Sequence, residues 1–274
     1  MTEILGRLFS FDGFGELLAL GFVQTALIAC AVLGLVGGAL APLIVSRGMA
    51  FAVHGTAELA FTGAAAALLI GTGVEYGAVA GAIVAALVFG LLGLRHRERD
   101  SVIGVVLAFG LGLGVLMLAL YNGRASNKFG LLVGSVVSVD STNLAVLAVF
   151  YRPLLFASTD PDVALARGVP VRFLSLVFAV LIGLTTALVV PIVGAILVLT
   201  VMIVPGAAAA RVTANPLLAT ALAVLFAETA LVGGVVLSLA PGLPISGYVA
   251  TIAFLIYVGC RAVARLRGGP VAAA

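Results

Sequence analysis

Apolar runs of about 18 residues or more recur from one end of this chain to the other, each long enough to cross a bilayer as a helix. The runs are continuously apolar, whereas the strands of a membrane barrel alternate in character along about ten residues. With 63% hydrophobic and 9% charged residues, a soluble globule would expose apolar surface on every side. The sequence therefore predicts an all-α fold, a polytopic transmembrane helical bundle.

Eight or nine spans are predicted, in a single integral domain over residues 1–274, because no long polar segment separates the apolar runs. The predicted spans are 17–45, 50–71, 74–94, 102–121, 144–157, 173–190, 192–210, 217–239 and 245–263. The span 144–157 is weak, since its apolar part is short and Arg152 and Pro153 follow it. Either a short helix packs inside the bundle, or residues 130–139 add a re-entrant piece.

Arginines cluster at the predicted helix ends and orient the bundle. The positive-inside rule places three clusters in the cytoplasm, and the loop around Gly130 and the turn around Pro241 outside. The clusters are Arg95, Arg97 and Arg99; Arg167 and Arg172; and Arg261, Arg265 and Arg267. The first span is expected to direct the chain to the membrane without a removed signal peptide. No basic stripe with interleaved aromatic residues is present in the sequence, which argues against a nucleic-acid partner.

His54 and Glu58 stand four residues apart inside the apolar span 50–71. This spacing puts an imidazole and a carboxylate on one face of a helix. Ionisable groups at membrane depth cost roughly several kcal/mol unless they are paired or bound, so they mark functional sites. Imidazole with carboxylate suits a divalent cation such as zinc, manganese or iron. The alternative is that the two side chains hydrogen-bond each other and hold two helices together.

Three further charged residues lie in or beside apolar spans. Glu228, deep in the span 217–239, either lines the same cation path or pairs with a nearby arginine or hydroxyl. Arg47 and Arg211 are expected to anchor helix ends at the membrane surface, with pairing to Glu58 or Glu228 as the alternative. The two cysteines, Cys30 and Cys260, form neither a disulfide framework nor a zinc motif and are predicted to be small buried hydrophobes.

Glycines and prolines within the spans predict where helices pack closely and where they break. Glycine pairs such as Gly77 with Gly81 are spaced for close helix packing. Pro191 and Pro205 predict either a broken helix at membrane depth, as in many transporters, or a simple hairpin at Pro191.

Four segments together resemble the ABC-3 family, the integral membrane permeases of bacterial ABC importers for zinc and manganese. They are RGMAFAVHGTAELAFTGAA at 47–65, RDSVIGVVLAF at 99–109, DPDVALARGVPV at 160–171 and IVGAILVLTVMIVPGAAAAR at 192–211. They occur in the family's order and cover most of the chain. The resemblance implies a type II ABC importer fold in a bacterial cell membrane.

The chain departs from the family's pattern in three features, two of them at or near the candidate site. The family usually has Asp and then His where this chain has His54 and Glu58, and usually Pro where it has Thr62. The ligand types are kept with their order exchanged, so a cation site is still expected, but the metal preference does not carry across. The third departure is the short span 144–157, where the family has a full-length helix.

ATP has to be hydrolysed by another subunit, because the sequence contains no phosphate-binding G-x-x-x-x-G-K-[ST] loop and its single lysine, Lys128, follows Asn127. The chain is therefore expected to be a transport subunit and not an enzyme. The resemblance implies that a cytoplasmic ATP-binding subunit docks on residues 160–171. The coupling residues it assigns are Asp160, Pro161, Asp162, Ala164, Arg167 and Gly168. From the residues alone, this segment is an ordinary charged turn.

The resemblance also implies a second permease protomer and an extracytoplasmic metal-binding protein that delivers the cation. Lipid surrounds the bundle. No permanently bound cofactor is expected, since the divalent metal is transported. Two other classes of function compete with this interpretation: an autonomous, proton-coupled secondary metal transporter, and a membrane scaffold or receptor subunit that transports nothing.

Overall fold

The computed structural model describes residues 14–92, 99–123, 171–193, 197–239 and 245–267, and within these residues every regular element is a helix. The helices are α1 (Phe14–Leu18), α2 (Gly21–Ser46), α3 (Ala50–Ile70), α4 (Val74–Leu92), α5 (Arg99–Leu120), α6 (Val171–Val193), α7 (Val198–Met202), α8 (Val204–Val212), α9 (Pro216–Leu239) and α10 (Ile245–Leu266). The predicted all-α class is confirmed.

Five stretches of the described residues are helical, long and apolar enough to cross a membrane: Val23–Ser46, Ala50–Ile70, Ser101–Leu120, Pro216–Leu239 and Ile245–Leu266. Three shorter apolar helical stretches are Val74–Phe89, Val177–Ala187 and Val198–Val212. Together they match the predicted spans other than 144–157, which lies outside the described residues, as does the re-entrant candidate 130–139.

The predicted span 192–210 is broken in the structure. Helix α6 runs through Pro191 and ends at Val193, so this proline is not the site of a hairpin turn. Helix α7 ends at Met202, and Ile203 leaves helical geometry with φ −124° and ψ −51°. Pro205, at the start of α8, has no N–H to continue the hydrogen-bond ladder of α7. The break that the prolines predict is therefore found at Ile203, whereas residues 194–196, which follow α6, lie outside the described residues.

Two glycines shape the ends of α2 and α3. Gly48 has a φ of +60° and makes the tight turn that joins the two helices, and Gly71 has a φ of +79° and ends α3. The backbone N–H of Gly71 points toward the carbonyl oxygens of Ala67 and Leu68 and so caps the end of α3. Left-handed backbone of this kind favours glycine, since it has no Cβ.

The helices form two units. The α3 unit consists of α3, α4 and α5, with α4 and α5 both packed on α3; the α2 unit consists of α2, α8, α9 and α10. Helix α6 packs on α4 and α3, and the short α7 contacts both α2 and α3. A continuous apolar core joins the units, and Leu40, Phe61, Phe178 and Met202 are among its fully buried side chains.

Arg47, at the end of α2, lies over the ring of Phe178 with its guanidinium carbon 4.8 Å from the ring centroid. This cation–π contact brings the end of α2 and the second turn of α6 to the same side of the bundle.

Candidate functional site

His54 and Glu58 lie on α3, one helical turn apart, on a helix that is enclosed by α4, α5 and α6. His54 is half-buried, whereas Glu58 is only 6% exposed. Their neighbours along the helix, Ala57, Leu59 and Ala60, are buried as well. The structure therefore brings the imidazole and the carboxylate to one face of the most enclosed helix of the α3 unit.

Each of these side chains keeps one buried polar atom unused. His54 Nδ1 and Glu58 Oε2 are both inaccessible and find no hydrogen-bond partner among the residues that the structure describes. A buried polar atom without a partner costs about 1–3 kcal/mol, so most such atoms are satisfied. A purely structural His–Glu pair would be expected to satisfy them. Both atoms are of the kinds that coordinate first-row divalent metals.

Glu228 lies elsewhere, in the α2 unit. It is half-buried on α9, and its carboxyl group sits against Gly34 of α2: a Cβ built on Gly34 would come within 2.9 Å of Glu228 Cδ and Oε1. The buried thiol of Cys30 is one turn before Gly34. Among the described residues, no group of three or more His, Cys, Asp or Glu side chains could hold a metal ion, so Glu228 does not complete a three-ligand cluster with His54 and Glu58.

Arg211 is exposed in the last turn of α8, as expected of a residue at a helix end. The coupling candidates 160–170 lie outside the described residues, and only Val171, where α6 begins, is described. Their assignment stays a prediction.

Three buried hydroxyl groups were not singled out by sequence reasoning as part of a site. Thr185 Oγ1 and Tyr248 OH have no partner within the described residues, and Thr62 bonds across to another helix. The signal available for Thr62 was its position one turn after Glu58. No sequence pattern points to Thr185, because the helices that pack against it are known only from the fold.

A protein-family model described as the ABC 3 transport family matches residues 19–264, which is most of the chain. The chain belongs to the ABC 3 transport family. It is thus a membrane-embedded permease subunit of an ABC transporter and not the ATPase, and a multi-pass protein of the cell membrane.

Relatives within the ABC 3 transport family include two manganese transport system membrane proteins named MntC. The one from Halalkalibacterium halodurans is 29% identical over 237 residues, covering 82% of this chain and 81% of the relative. The one from Listeria innocua is 30% identical over 209 residues, covering 72% of this chain and 74% of the relative.

A solved structure shares the fold. It is PsaBC from Streptococcus pneumoniae in complex with Fab, with a TM-score of 0.80 at 24% identity, covering 94% of this chain and 100% of the matched chain. The two chains therefore have the same fold over nearly their whole length.

Proposed function

We propose that this permease imports a divalent transition metal and that His54 and Glu58 are transient ligands of the cation on its path. The relatives named above are called manganese transport proteins, which makes manganese the first cation to test, with zinc and iron next. Import is the direction implied by the family resemblance.

The observation that carries this proposal is the pair of unused buried atoms, His54 Nδ1 and Glu58 Oε2, one turn apart in a transport protein. Nitrogen and oxygen ligands together suit manganese, iron and zinc. Two protein ligands leave the remaining coordination positions to water or to a second protomer. Such a site binds weakly enough to release its cation, unlike a closed structural cage.

Energy for transport would come from a separate ATP-binding subunit docked on the cytoplasmic segment 160–171. An extracytoplasmic binding protein would deliver the cation to a pair of permease protomers. Alternating access requires two discrete packings of the bundle, and we place the change between them at Ile203, because the adjoining α7 contacts both the α2 and α3 units and helical geometry is interrupted there. Glu228, in the α2 unit, would be a second contact for the cation on its path.

The test is uptake of radiolabelled manganese, zinc and iron by cells that lack their own importers. The cells express the chain with and without its ATP-binding subunit and binding protein. Glu58→Gln keeps the size of the side chain and removes its charge, and His54→Ala removes the imidazole. The matched control is Glu75→Gln, which neutralises an exposed carboxylate at the start of α4.

We expect ATPase-dependent uptake that falls about 10- to 100-fold in Glu58→Gln and His54→Ala, at equal amounts of protein in the membrane, and is unchanged in Glu75→Gln. Uptake by the chain alone would instead support a secondary transporter. Full uptake in both site variants would show that His54 and Glu58 are structural.

A further inference from the structure

Thr62 makes a hydrogen bond that links the candidate cation site to a neighbouring helix. Its hydroxyl lies 2.8 Å from the carbonyl oxygen of Glu58, one turn back on α3, and 2.5 Å from the carbonyl oxygen of Gly110 on α5. A threonine hydroxyl has one proton to donate, so the two carbonyls share it. The backbone turn that carries Glu58 is thereby tied to α5.

Two glycines of α5, Gly110 and Gly114, leave the space that the Thr62 hydroxyl occupies. A Cβ built on Gly114 would come within 3.1 Å of Thr62 Oγ1, and one built on Gly110 within 3.6 Å. The Gly114 position would also crowd the ring of Phe61, with ring carbons at 2.7 and 2.8 Å. The two glycines face α3, which lets α5 approach closely enough for the hydrogen bond between helices.

Thr56, on the same helix, shows what Thr62 adds. Its hydroxyl donates to the carbonyl of Ala52 at 2.7 Å, within α3. Both threonines are buried, Thr56 at 3% and Thr62 at 8% exposure, and both bond the carbonyl four residues back. Of these two threonines, only Thr62 also bonds a second helix within the part of the chain that the structure describes. The bond to the same helix is ordinary for threonine, and the bond to α5 is the distinctive one.

We propose that Thr62 is a positioning residue for Glu58: by fixing the turn of α3 against α5, it sets where the Glu58 carboxylate meets the transported cation. In this proposal Thr62 acts through the backbone turn that carries Glu58, to which its hydroxyl donates, and not as a ligand of the cation. The inference rests on the proposed function, since it needs a cation at Glu58.

The experiment measures ATP-dependent manganese uptake into vesicles that contain the full complex, as a function of manganese concentration. Thr62→Val keeps the shape of the side chain and removes the hydroxyl, Thr62→Ser keeps the hydroxyl, and Thr56→Val is the matched control. If Thr62→Val does not accumulate in the membrane, Thr62→Ala and Thr56→Ala give the same comparison. Wild type and Glu58→Gln are measured beside them.

We expect the apparent KM for manganese to rise about tenfold in Thr62→Val, with little change in the maximal rate per folded transporter. Thr62→Ser should restore the wild-type KM, and Thr56→Val should leave it unchanged. A merely structural role would lower the amount of folded transporter and leave KM alone.

Two results would overturn the inference while leaving the proposed function intact. One is wild-type uptake with an unchanged KM in Thr62→Val, and the other is an equal rise of KM in Thr56→Val. Absence of ATP-dependent uptake of manganese, zinc and iron alike in the wild-type complex would instead overturn the proposed function, and this inference with it.

Discussion

The α3–α4 seam and the α2–α9 seam both depend on glycine, but the glycines face different groups. In the α3–α4 seam, Gly63 and Gly77 face each other's backbone, and Gly81 faces the carbonyl of Leu59. In the α2–α9 seam, Gly38 meets the backbone of Val224, whereas Gly34 meets the carboxyl group of Glu228. Small residues thus bring backbones together in the first seam, and in the second they also make room for an acidic side chain.

Because of this difference, a Cβ added to a glycine should cost more stability where it meets backbone atoms than where it meets the carboxyl group of Glu228. Backbone atoms of a packed helix move only with the whole helix, so a Cβ placed against them is costly. The end of a glutamate side chain can rotate away at lower cost. The first two predictions below test this comparison, and the third tests the contacts of α6, which joins the two units.

The largest effect is expected for Gly81→Ala in the α3–α4 seam. The new Cβ would overlap the carbonyl oxygen of Leu59, and relieving that overlap requires α3 and α4 to separate. We expect a loss of about 3 kcal/mol of stability, measured as a lower temperature of half-denaturation in detergent.

The control for Gly81→Ala is Gly112→Ala on α5, where an added Cβ meets nothing within 4 Å. It should leave the denaturation temperature unchanged or raise it slightly, because alanine is the better helix former. Equal losses in the two variants would mean that glycine acts through the helix itself and not through the seam.

An intermediate effect is expected for Gly34→Ala in the α2–α9 seam. The added Cβ would lie 2.9 Å from Glu228 Cδ, so the carboxyl group has to swing aside, at about 1 kcal/mol. Gly38→Ala should cost more, because its Cβ would lie 2.7 Å from the Cα of Val224.

The denaturation temperature of the double variant Gly34→Ala/Glu228→Ala checks the cause. Removing the carboxyl group should cancel most of the loss from Gly34→Ala, which a double-mutant cycle measures directly. If the losses of stability from Gly34→Ala and Glu228→Ala simply added in the double variant, Glu228 would not occupy the space beside Gly34.

The smallest effects are expected where α6 joins the two units. Thr186 donates its hydroxyl to Met202 Sδ at 3.6 Å, whereas the buried Thr185 hydroxyl has no partner among the described residues. Thr186→Val should therefore lower the stability by roughly half a kcal/mol, the usual size of a hydrogen bond between membrane helices. Thr185→Val should keep the stability or raise it, because it removes an unsatisfied polar atom.

Denaturation temperatures of these two isosteric variants, measured side by side, give the sign of each effect. A loss in Thr185→Val as large as that in Thr186→Val would show that the Thr185 hydroxyl is satisfied after all.

Helix boundaries were largely predictable from the sequence. The predicted spans 74–94 and 245–263 differ from α4 and α10 by only a few residues at their ends. The predicted span 17–45 corresponds to α2, but its start falls in the separate short helix α1. Leu20 between them has an extended backbone, with φ −69° and ψ 128°. Uniform apolar character hides such an interruption, since hydropathy reports the length of a run and not its backbone angles.

The candidate site was predictable only in part. The spacing of His54 and Glu58 requires them to share a helix face wherever that helix packs. The unused atoms Nδ1 and Oε2 depend on what α4, α5 and α6 bring to that face, which no local pattern encodes. The same holds for Glu228, whose neighbour Gly34 is far away in the sequence.

The sequence by itself determined that this chain is a membrane helical bundle, because a run of apolar residues can satisfy its backbone in lipid only as a helix. It also determined that an imidazole and a carboxylate share one face of α3, because the period of the helix allows no other arrangement. Only the tertiary structure decided that Thr62 bonds Gly110 and that Glu228 lies against Gly34. Those contacts join residues distant in the sequence, and their geometry is set by how whole helices pack together.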